Sequence, residues 1–301
     1  LHLSIRRQRQ MCIRDRDPSM ASQNALYLLI DERLQRDELT LPGLPKTAEQ
    51  VRNATLDPDC NLHDLAHIIQ QDAVLSARLI RLANSAYLGG RNKAESLMQA
   101  LTRIGMRRIR TLAFAMAMEQ VFKPDNDIVK MFSEQYIKES RQIAAASVVI
   151  TKDLQRRGIG HRLHQDVSLL AGMVSRIGVT PILRMASEFE DSFANPTFIN
   201  ECISQLSSPL GTNILKYWQF TPNLVQVPLH YDKGRTNLDD AITVNYCDIV
   251  HLASLLTGYN SGKKQNVTLV EYELRGVIES EDFWQQDSTQ ESYHQVLDLF
   301  G

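Results

Sequence analysis

The amino-acid sequence predicts an all-helical protein built from two packed helical subdomains. Apolar residues recur every three or four positions through consecutive short segments between residues 61 and 122, which is the period of an α-helix. Side chains that favour helix starts precede these segments, and glycines follow them. The alternation typical of a β-strand occurs only locally, at residues 267–272. Because each short helix is marginal alone, we expect the helices to stabilise one another by packing.

Four short helices are predicted between residues 61 and 122. Asn61, Asp72 and Ser96 can each accept a hydrogen bond from the free amides of a first helical turn, so they mark three helix starts. The glycines at 89–90 and Gly105 mark two helix ends. The predicted inward-facing residues are Leu62, Leu65, Ala66, Ile69, Leu75, Leu79, Leu82, Ala83, Ala86, Leu97, Ala100, Leu101, Ile104, Ile109, Leu112, Ala113 and Met116.

The rest of the chain divides at a polar, proline-containing boundary at residues 124–127. We expect an N-terminal helical subdomain over 20–123, a C-terminal one over 128–257, and a loop with a helical but poorly packed tail over 258–301. Further helices are predicted at 25–39, 46–56, 128–154, 166–187 (a pair), 196–206, 209–218, 222–231 and 238–256.

Residues 1–19 are expected to be a non-native leader that takes no part in the fold. The run RRQRQMCIRD at 6–15 resembles the translation of a sequencing adapter, which makes Met20 the expected start of the native chain. The alternative is a basic arm that binds nucleic acid, since five arginines lie in residues 1–16.

Composition and charge limit the classes of function. A formal net charge of −2 indicates no general affinity for nucleic acid or acidic lipid. We expect no apolar run near the roughly 18 residues that a membrane span needs. Outside the leader, Cys60, Cys202 and Cys247 are widely spaced and odd in number, which favours free thiols in a reducing compartment. The sequence therefore predicts a cytoplasmic protein without a membrane anchor.

Four short phrases carry a family resemblance: LPGLP at 41–45, LDPD at 56–59, LIRLANSAY at 79–87 and ALTRIG at 100–105. Together they resemble the HDOD (HD-related output domain) family of bacterial signalling proteins, and the similarity continues more weakly to about Thr257. The resemblance implies an all-helical, HD-domain-like fold related to the HD phosphohydrolases. It also implies signal output as the function, with no reaction shared by the whole family.

The resemblance locates the positions at which catalytic HD enzymes hold a divalent metal. In those enzymes a histidine, a His-Asp pair and a later aspartate surround the ion, which activates water. The segment at 170–178 resembles the one that carries the pair, but it contains Ser175 and Arg176 instead. The first histidine maps near Glu139, and the last aspartate maps near Ser254. Because a guanidinium cannot ligate a metal, Arg176 predicts that hydrolysis has been lost.

Histidines offer two alternatives for a metal or ligand site. His63, Asp64 and His67 mimic a metal-binding spacing, but they fall on the polar side of their predicted helix, where a solvated face explains them. His230 and His251 lie in the C-terminal subdomain and are candidates for lining a remnant of the ancestral cavity. Imidazoles hydrogen-bonded to their neighbours are the simpler interpretation.

Four arginines around Gly105 form the densest basic group outside the leader. Its members are Arg103, Arg107, Arg108 and Arg110. Such a group can hold a phosphate or an acidic segment of a partner, whereas the alternative is a solvated helix face. Asn84, with Ser85 and Tyr87, is a further binding candidate, and helix capping is its alternative role.

The expected function is that of a regulatory signalling module that needs no cofactor. It would act through contact with another signalling protein or by sensing a small ligand, and a homo-oligomer is compatible with either role. A metal-dependent phosphohydrolase or phosphodiesterase with atypical ligands is the main alternative. A nucleic-acid binder that uses the arginine group is another, which the net charge disfavours.

Overall fold

The structure, a computed structural model, describes residue 32 and residues 42–85, 88, 92–118, 126–188, 195–236, 243–260 and 267–300. These residues are helical or irregular and contain no β-strand. The all-helical fold predicted from the periodicity is therefore confirmed. The predicted leader at 1–19, nearly all of the helix predicted at 25–39 and the glycines at 89–90 lie outside the described residues.

The described part of the N-terminal half contains five helices whose starts follow from the sequence. Asn61 and Asp64 form a capping box, in which each side chain accepts a hydrogen bond from the backbone amide of the other residue. Asp72 and Ser96 each accept from an amide at the next two starts. The helices are α1 (Lys46–Ala54), α2 (Leu62–Ile69), α3 (Ala73–Ala83), α4 (Leu97–Ile104) and α5 (Met106–Ala117).

One long helix, α6, organises the C-terminal half. It begins after Asn126, whose side chain accepts from the amide of Val129 (3.0 Å). The helices are α6 (Asp127–Arg156), α7 (Gln165–Val174), α8 (Val179–Glu188), α9 (Pro196–Tyr217), α10 (Pro222–Val225), α11 (Val227–His230), α12 (Tyr246–Leu256), α13 (Leu269–Leu274) and α14 (Asp287–Leu297). Short 3-10 turns lie at Glu281–Gln285 and Asp298–Phe300. Helix α6 contacts α7, α8, α12 and α14, so it forms the centre of this half.

A single large hydrophobic core joins the two halves. It extends from Ala48 in α1 through α6, α7 and α12 to Phe300 near the C-terminus. A smaller cluster packs the start of α6 against α8 and α9. The indole nitrogen of Trp218, after α9, donates to the carbonyl of Pro42 (2.9 Å) and so ties the LPGLP phrase to the C-terminal half.

Helix α9 is one continuous helix where the sequence predicts separate helices at 196–206 and 209–218. Pro209 lies inside it, although proline lacks the amide that would bond to the preceding turn. Leu206 and Leu210 are buried on either side of the proline along the chain. The predicted break was wrong because the burial of this apolar stripe outweighs the local penalty of about 3 kcal/mol.

Two other helix boundaries also differ from the prediction. The helix predicted at 238–256 starts only at Tyr246, because Asn245 is extended and caps it. Part of the earlier stretch, 237–242, lies outside the described residues. The helix predicted at 222–231 is divided into α10 and α11.

The C-terminal tail is helical as predicted, but the expectation that it packs poorly was wrong. Tyr272 is fully buried and Phe283 nearly so. Arg157, at the end of α6, donates to the carbonyls of Gly276 (2.8 Å) and Val277 (2.5 Å). The tail is held by residues that are distant in the sequence, such as Arg157. Its own polar composition therefore did not reveal that it packs against the rest of the protein.

The cysteines at 60, 202 and 247 are free thiols, as the sequence predicts. Burial raises the pKa of Cys202 to about 12 and that of Cys247 to about 12. Both therefore stay protonated near neutral pH and behave as unreactive core residues.

One described stretch, Gln165–Glu188, is long and apolar enough to cross a membrane by length and composition. From the sequence we expect no apolar run of this length, and this stretch contradicts that expectation. Of its most apolar window, 89% is buried inside the protein. A buried core helix passes the same test, so the stretch is weak evidence for a membrane span.

Gly172→Ala is expected to lower the free energy of unfolding by about 1–3 kcal/mol, because it overpacks the contact of α6 with α7. The added Cβ would lie 2.3 Å from the Cα of Ala144. Gly43→Ala, where the added Cβ meets open space, is the matched control and should leave stability unchanged or slightly raised. Urea denaturation followed by circular dichroism measures both. Equal effects of the two substitutions would contradict the close approach of α6 and α7.

Tyr272→Ala is expected to destabilise the protein by about 3–5 kcal/mol, since it removes a fully buried aromatic ring. Leu274→Ala is its control in the same helix: Leu274 is 83% exposed, so its truncation should change stability by less than about 0.5 kcal/mol. Thermal and chemical denaturation of both variants test whether the tail belongs to the core. A Tyr272→Ala protein as stable as the Leu274→Ala protein would show that the tail is not docked.

Candidate functional site

The candidate site is a buried ion pair between α6 and the residues that follow α7. Nη1 of Arg176 forms a salt bridge with Oε2 of Glu139. The Glu139 side chain is 7% exposed and that of Arg176 is 19% exposed. The second carboxylate oxygen of Glu139, Oε1, accepts from Nε2 of Gln135 (2.9 Å) one turn earlier in α6. Both oxygens of this carboxylate are therefore engaged by the protein itself.

The close packing of α6 against α7 sets this geometry. Gly172 lies about one turn before Arg176, and Ala144 lies just over one turn after Glu139. A Cβ at position 172 would be 2.3 Å from the Cα of Ala144, so only glycine lets the two backbones approach this closely. The short separation of the helices is what lets the carboxylate meet the guanidinium.

The ring of Tyr231 lies next to the guanidinium of Arg176, and the phenol of Tyr259 lies within reach of its charge. Cζ of Arg176 lies 5.5 Å from the centre of the Tyr231 ring, within the range of a cation–π contact. Burial raises the pKa of Tyr231 to about 12, and the charge of Arg176 acts in the opposite direction. Burial also raises the pKa of Tyr259, whose hydroxyl donates to Oε1 of Gln142. Both phenols are therefore neutral near pH 7, and Glu139 is the anion that pairs with Arg176.

Ser254, which stands where the family resemblance places the last metal-binding aspartate, is connected to this site through an amide. Its Oγ donates to the carbonyl of His251 (2.7 Å) and accepts from Nδ2 of Asn260 (2.8 Å). The same nitrogen of Asn260 donates to the carbonyl of Tyr231 (2.7 Å). Ser254 therefore belongs to a neutral hydrogen-bond network with Asn260 and the backbone of Tyr231 and His251.

Ser175 is buried and does not reach the ion pair. Its Oγ donates to the carbonyl of Gly172 (2.8 Å), within the last turn of α7. The structure therefore brings Glu139 and Arg176 into contact, links Ser254 to them through Asn260, and leaves Ser175 bonded to its own helix.

The candidate histidines His230 and His251 both lie close to Gly234. Nδ1 of His230 is 3.4 Å from the carbonyl oxygen of Gly234, and Nδ1 of His251 is 3.0 Å from the hydroxyl of Tyr272. Gly234 has φ +72°, and an added Cβ would lie 2.9 Å from Nδ1 of His251. Because Tyr272 belongs to the tail, the tail closes this side of the site.

These side chains do not fit a divalent cation. Such an ion needs several oxygen or nitrogen donors that converge on one point. Arg176 instead provides a permanent positive charge, and it already neutralises Glu139. In the part of the chain that the structure describes, no group of three or more His, Cys, Asp or Glu could hold a metal ion. The alternative set around His63 and His67 is exposed, and its Asp64 caps α2.

Arg103 and Asn84 stabilise the loop that follows α3. Nη1 of Arg103 donates to the carbonyl at the end of α3 (2.7 Å) and to Oδ1 of Asn84 (3.1 Å). Asn84 exchanges two hydrogen bonds with the backbone of Ala94, across the loop. Ser85 donates to the end of α3 (2.7 Å), and Tyr87 lies outside the described residues. The side chains of Arg103 and Asn84 are therefore already hydrogen-bonded within the protein, which makes them poorer candidates for ligand binding than the remaining arginines of the group.

The other three arginines of the group differ from Arg103. Arg107 and Arg108 are exposed and Arg110 is half-buried, and only Arg107 and Arg110 of these three line a cavity with the turn between α1 and α2. Nη2 of Arg107 lies 3.2 Å from Nε2 of His164, just before α7. The four arginines that are close in sequence therefore have three roles: Arg103 bonds to the backbone of the protein, Arg108 is exposed outside the cavity, and Arg107 and Arg110 share the cavity.

Sequence reasoning missed the residues that complete the site around the ion pair. They are Gln142, Tyr231, Tyr259, Asn260 and Tyr272. These residues belong to no recognisable motif. The one signal available is Arg176 itself, because a cation in an otherwise apolar segment must find an anion or a ring in the folded chain.

The family profile of the HDOD domain matches residues 41–233, which is more than half of the chain. The chain belongs to the HDOD family. The matched region of this HDOD chain includes α1 to α11, and thus Glu139 and Arg176. Ser254, Asn260 and the tail lie beyond it.

Solved structures with the same fold include proteins of two bacteria. A protein of Shewanella amazonensis SB2B, provisionally named a metal-dependent phosphohydrolase, is 28% identical with a TM-score of 0.82, covering 93% of this chain and 100% of that one. A protein of Marinobacter aquaeolei VT8, provisionally named a signal transduction protein, is 17% identical with a TM-score of 0.60, covering 95% and 66%. A second Shewanella protein, provisionally named a phosphohydrolase, is 17% identical with a TM-score of 0.56, covering 91% and 98%. The last two show the fold alone.

A curated relative is an uncharacterised protein of Treponema pallidum (strain Nichols). It is 28% identical over 95 residues, which make up 32% of this chain and 18% of that protein. The similarity therefore spans about a fifth of the relative's length and carries no activity to this chain.

Arg176→Met is expected to lower the free energy of unfolding by about 2–4 kcal/mol, because it leaves the Glu139 carboxylate buried without its cation. The effect should be smaller than for a fully buried pair, since the Arg176 side chain is 19% exposed. The double variant Arg176→Met/Glu139→Gln should recover part of the loss. Urea denaturation of the single and double variants measures the coupling.

Arg184→Met is the matched control for this cycle. Arg184 pairs with Glu188 at 3.3 Å, but both side chains are about half exposed, so the substitution should cost less than about 1 kcal/mol. An Arg176→Met effect as small as that of Arg184→Met would show that the Glu139 pair is not held in the core.

Proposed function

We propose that this HDOD chain is a cytoplasmic regulatory module that acts through contact with another signalling protein or by sensing a small ligand, and that it does not hydrolyse phosphoesters. The observation that carries the proposal is the ion pair between Glu139 and Arg176. Two positions that hold metal ligands in the catalytic relatives here hold a cation and its counterion. The pair maintains the packing of α6 and α7 without providing a means to activate water.

Membership of the HDOD family supports a regulatory role. It does not identify the partner. The described arginines give little support to nucleic-acid binding, because Arg103 is bonded to the protein and the net charge is −2. Phosphate-backbone binding requires several cations along one face and weakens steeply with salt.

One observation favours a second candidate function, a metal-dependent phosphohydrolase with atypical ligands. The Shewanella structure that covers 93% of this chain carries that provisional name. For this chain to hold a metal in the same place, Arg176 would have to leave Glu139, and His251 would have to leave Tyr272. Since both changes break buried interactions, we favour the non-catalytic role.

The decisive experiment measures metal-dependent hydrolysis of bis(p-nitrophenyl) phosphate and of a cyclic dinucleotide. The purified chain is assayed with Mn²⁺, Mg²⁺, Fe²⁺ and Ni²⁺, with EDTA as the negative control. We expect release of product at the rate of the metal alone, because no set of donors among the described residues converges on a cation.

Site variants separate true turnover from a contaminating hydrolase. Glu139→Gln and Ser254→Ala alter the site, whereas Glu134→Gln changes an exposed carboxylate of the same helix. Circular dichroism melts verify that each variant is folded. Turnover that EDTA abolishes, and that falls in Glu139→Gln or Ser254→Ala but not in Glu134→Gln, would replace the regulatory proposal with the phosphohydrolase.

A further inference from the structure

A cavity of ≈ 330 Å³ lies between the turn that joins α1 to α2 and the first turns of α5. Its walls include Asp57, Cys60, Met106, Arg107 and Arg110. Small-molecule sites begin at about 300 Å³, so the volume suits a compact ligand. The cavity is formed by different residues from those around Glu139 and Arg176, and the proposed function assigns no residues to the sensing of a small ligand.

The cavity contains cations that lack carboxylate partners. Within the described residues, neither Arg107 nor Arg110 forms an ion pair, whereas the neighbouring Arg52 pairs with Glu49 at 3.6 Å. Arg110 is half-buried and its guanidinium lies 5.8 Å from the centre of the Phe114 ring. Burial, and then repulsion from Arg52, lower the pKa of Arg110. A guanidinium stays charged at neutral pH, so no counterion for Arg107 or Arg110 lies among the residues that the structure describes.

The other polar groups of the cavity wall do not supply that counterion. Asp57 is exposed, and its Oδ1 accepts from the amide of Asp59 (2.9 Å) within the turn. Burial, and then the charges of Asp64 and Asp57, raise the pKa of Cys60, so its thiol stays neutral. Two guanidinium groups therefore face one carboxylate that is held by its own turn.

Arg107 and Arg110 have the donors needed to grip a tetrahedral anion. Nη2 of Arg107 contacts Nε2 of His164, which leaves other N–H groups of its guanidinium available. The contact of the Arg110 guanidinium with the Phe114 ring, with Cζ 5.8 Å from the ring centre, is not a hydrogen bond and occupies no acceptor-directed N–H group. Guanidinium groups bind phosphate through paired N–H···O bonds with matching geometry.

We propose that this cavity binds a small molecule that carries a phosphate group, with the phosphate held between Arg107 and Arg110. A phosphate monoester bears a charge of about −1.5 to −2 at pH 7, which is close to the combined charge of the Arg107 and Arg110 guanidinium groups. A ligand with a single carboxylate would neutralise only one of these two groups. Asp57 in the same wall favours ligands that also carry a hydrogen-bond donor, such as a hydroxyl. The site adds a location and a ligand class to the small-ligand sensing named in the proposed function. The hydrolysis assay tests the proposed function, whereas the binding experiments below test only this cavity.

The test uses inorganic phosphate and glycerol 3-phosphate as probes on the full chain, with potassium chloride at matched ionic strength as the salt control. Isothermal titration calorimetry measures binding to the wild type and to four variants. Arg107→Gln and Arg110→Gln should each weaken binding by about tenfold or more, because each removes charge-assisted hydrogen bonds. Asp57→Asn should tighten the binding of inorganic phosphate, since it removes the one carboxylate of the cavity wall.

Arg108→Gln is the matched control, because Arg108 is exposed on the same helix and is not part of the cavity wall. It removes the same charge and should leave the affinity unchanged. Equal weakening in Arg108→Gln and Arg110→Gln would mean that net charge attracts the probe, and this result would overturn the proposal. Absence of binding to the wild type would overturn it as well.

Alkylation of Cys60 provides a second measurement that does not depend on the arginine variants. Cys60 lies in the cavity wall and is partly exposed, whereas Cys202 and Cys247 are buried. Glycerol 3-phosphate should slow the modification of Cys60 by iodoacetamide, measured by peptide mass mapping, while potassium chloride should not. Modification of Cys60 at the same rate with and without the probe would place the bound phosphate elsewhere and contradict the proposal.

Discussion

The pairing of Glu139 with Arg176 is the interaction on which the rest of the C-terminal half depends. A charged carboxylate in α6 is tolerated in the core because a guanidinium next to α7 neutralises it, and Tyr231 covers that guanidinium. The pair requires α6 and α7 to lie unusually close, which Gly172 permits. Removing either charge leaves the other buried, so the two positions are constrained together.

The residues beyond the family-matched region complete the fold. The profile match ends at 233, but α12 and the tail supply buried contacts on which the matched helices rely. Arg157 binds the carbonyls of Gly276 and Val277, Tyr272 bonds to His251, and the last turn, Asp298–Phe300, packs against α3. The tail therefore reaches from the site to the N-terminal half. Access to the region near His251 is limited by Tyr272, a residue of the tail.

Similar residues in one stretch of sequence can have unrelated roles once the chain folds. Arg103 closes a loop, Arg108 is in solvent, and Arg107 and Arg110 share a cavity with the α1–α2 turn. Their spacing alone predicts one basic patch. The division arises because successive helix positions point in different directions and the turn at Gly105 separates α4 from α5. The contact of Arg107 with His164 also places this cavity beside the junction of the two halves.

The sequence by itself determined the helical class, the helix starts at Asn61, Asp72 and Ser96, and the permanent positive charge of Arg176 within an apolar segment. These are local properties: a period of 3.6 residues, a capping side chain, and a charge that no environment removes. Only the tertiary structure decided that Glu139 is the partner of Arg176, that α9 continues through Pro209, and that the tail is part of the core. Each of those outcomes depends on contacts between segments far apart in the chain, and burial there outweighs the local preferences that a sequence pattern reports.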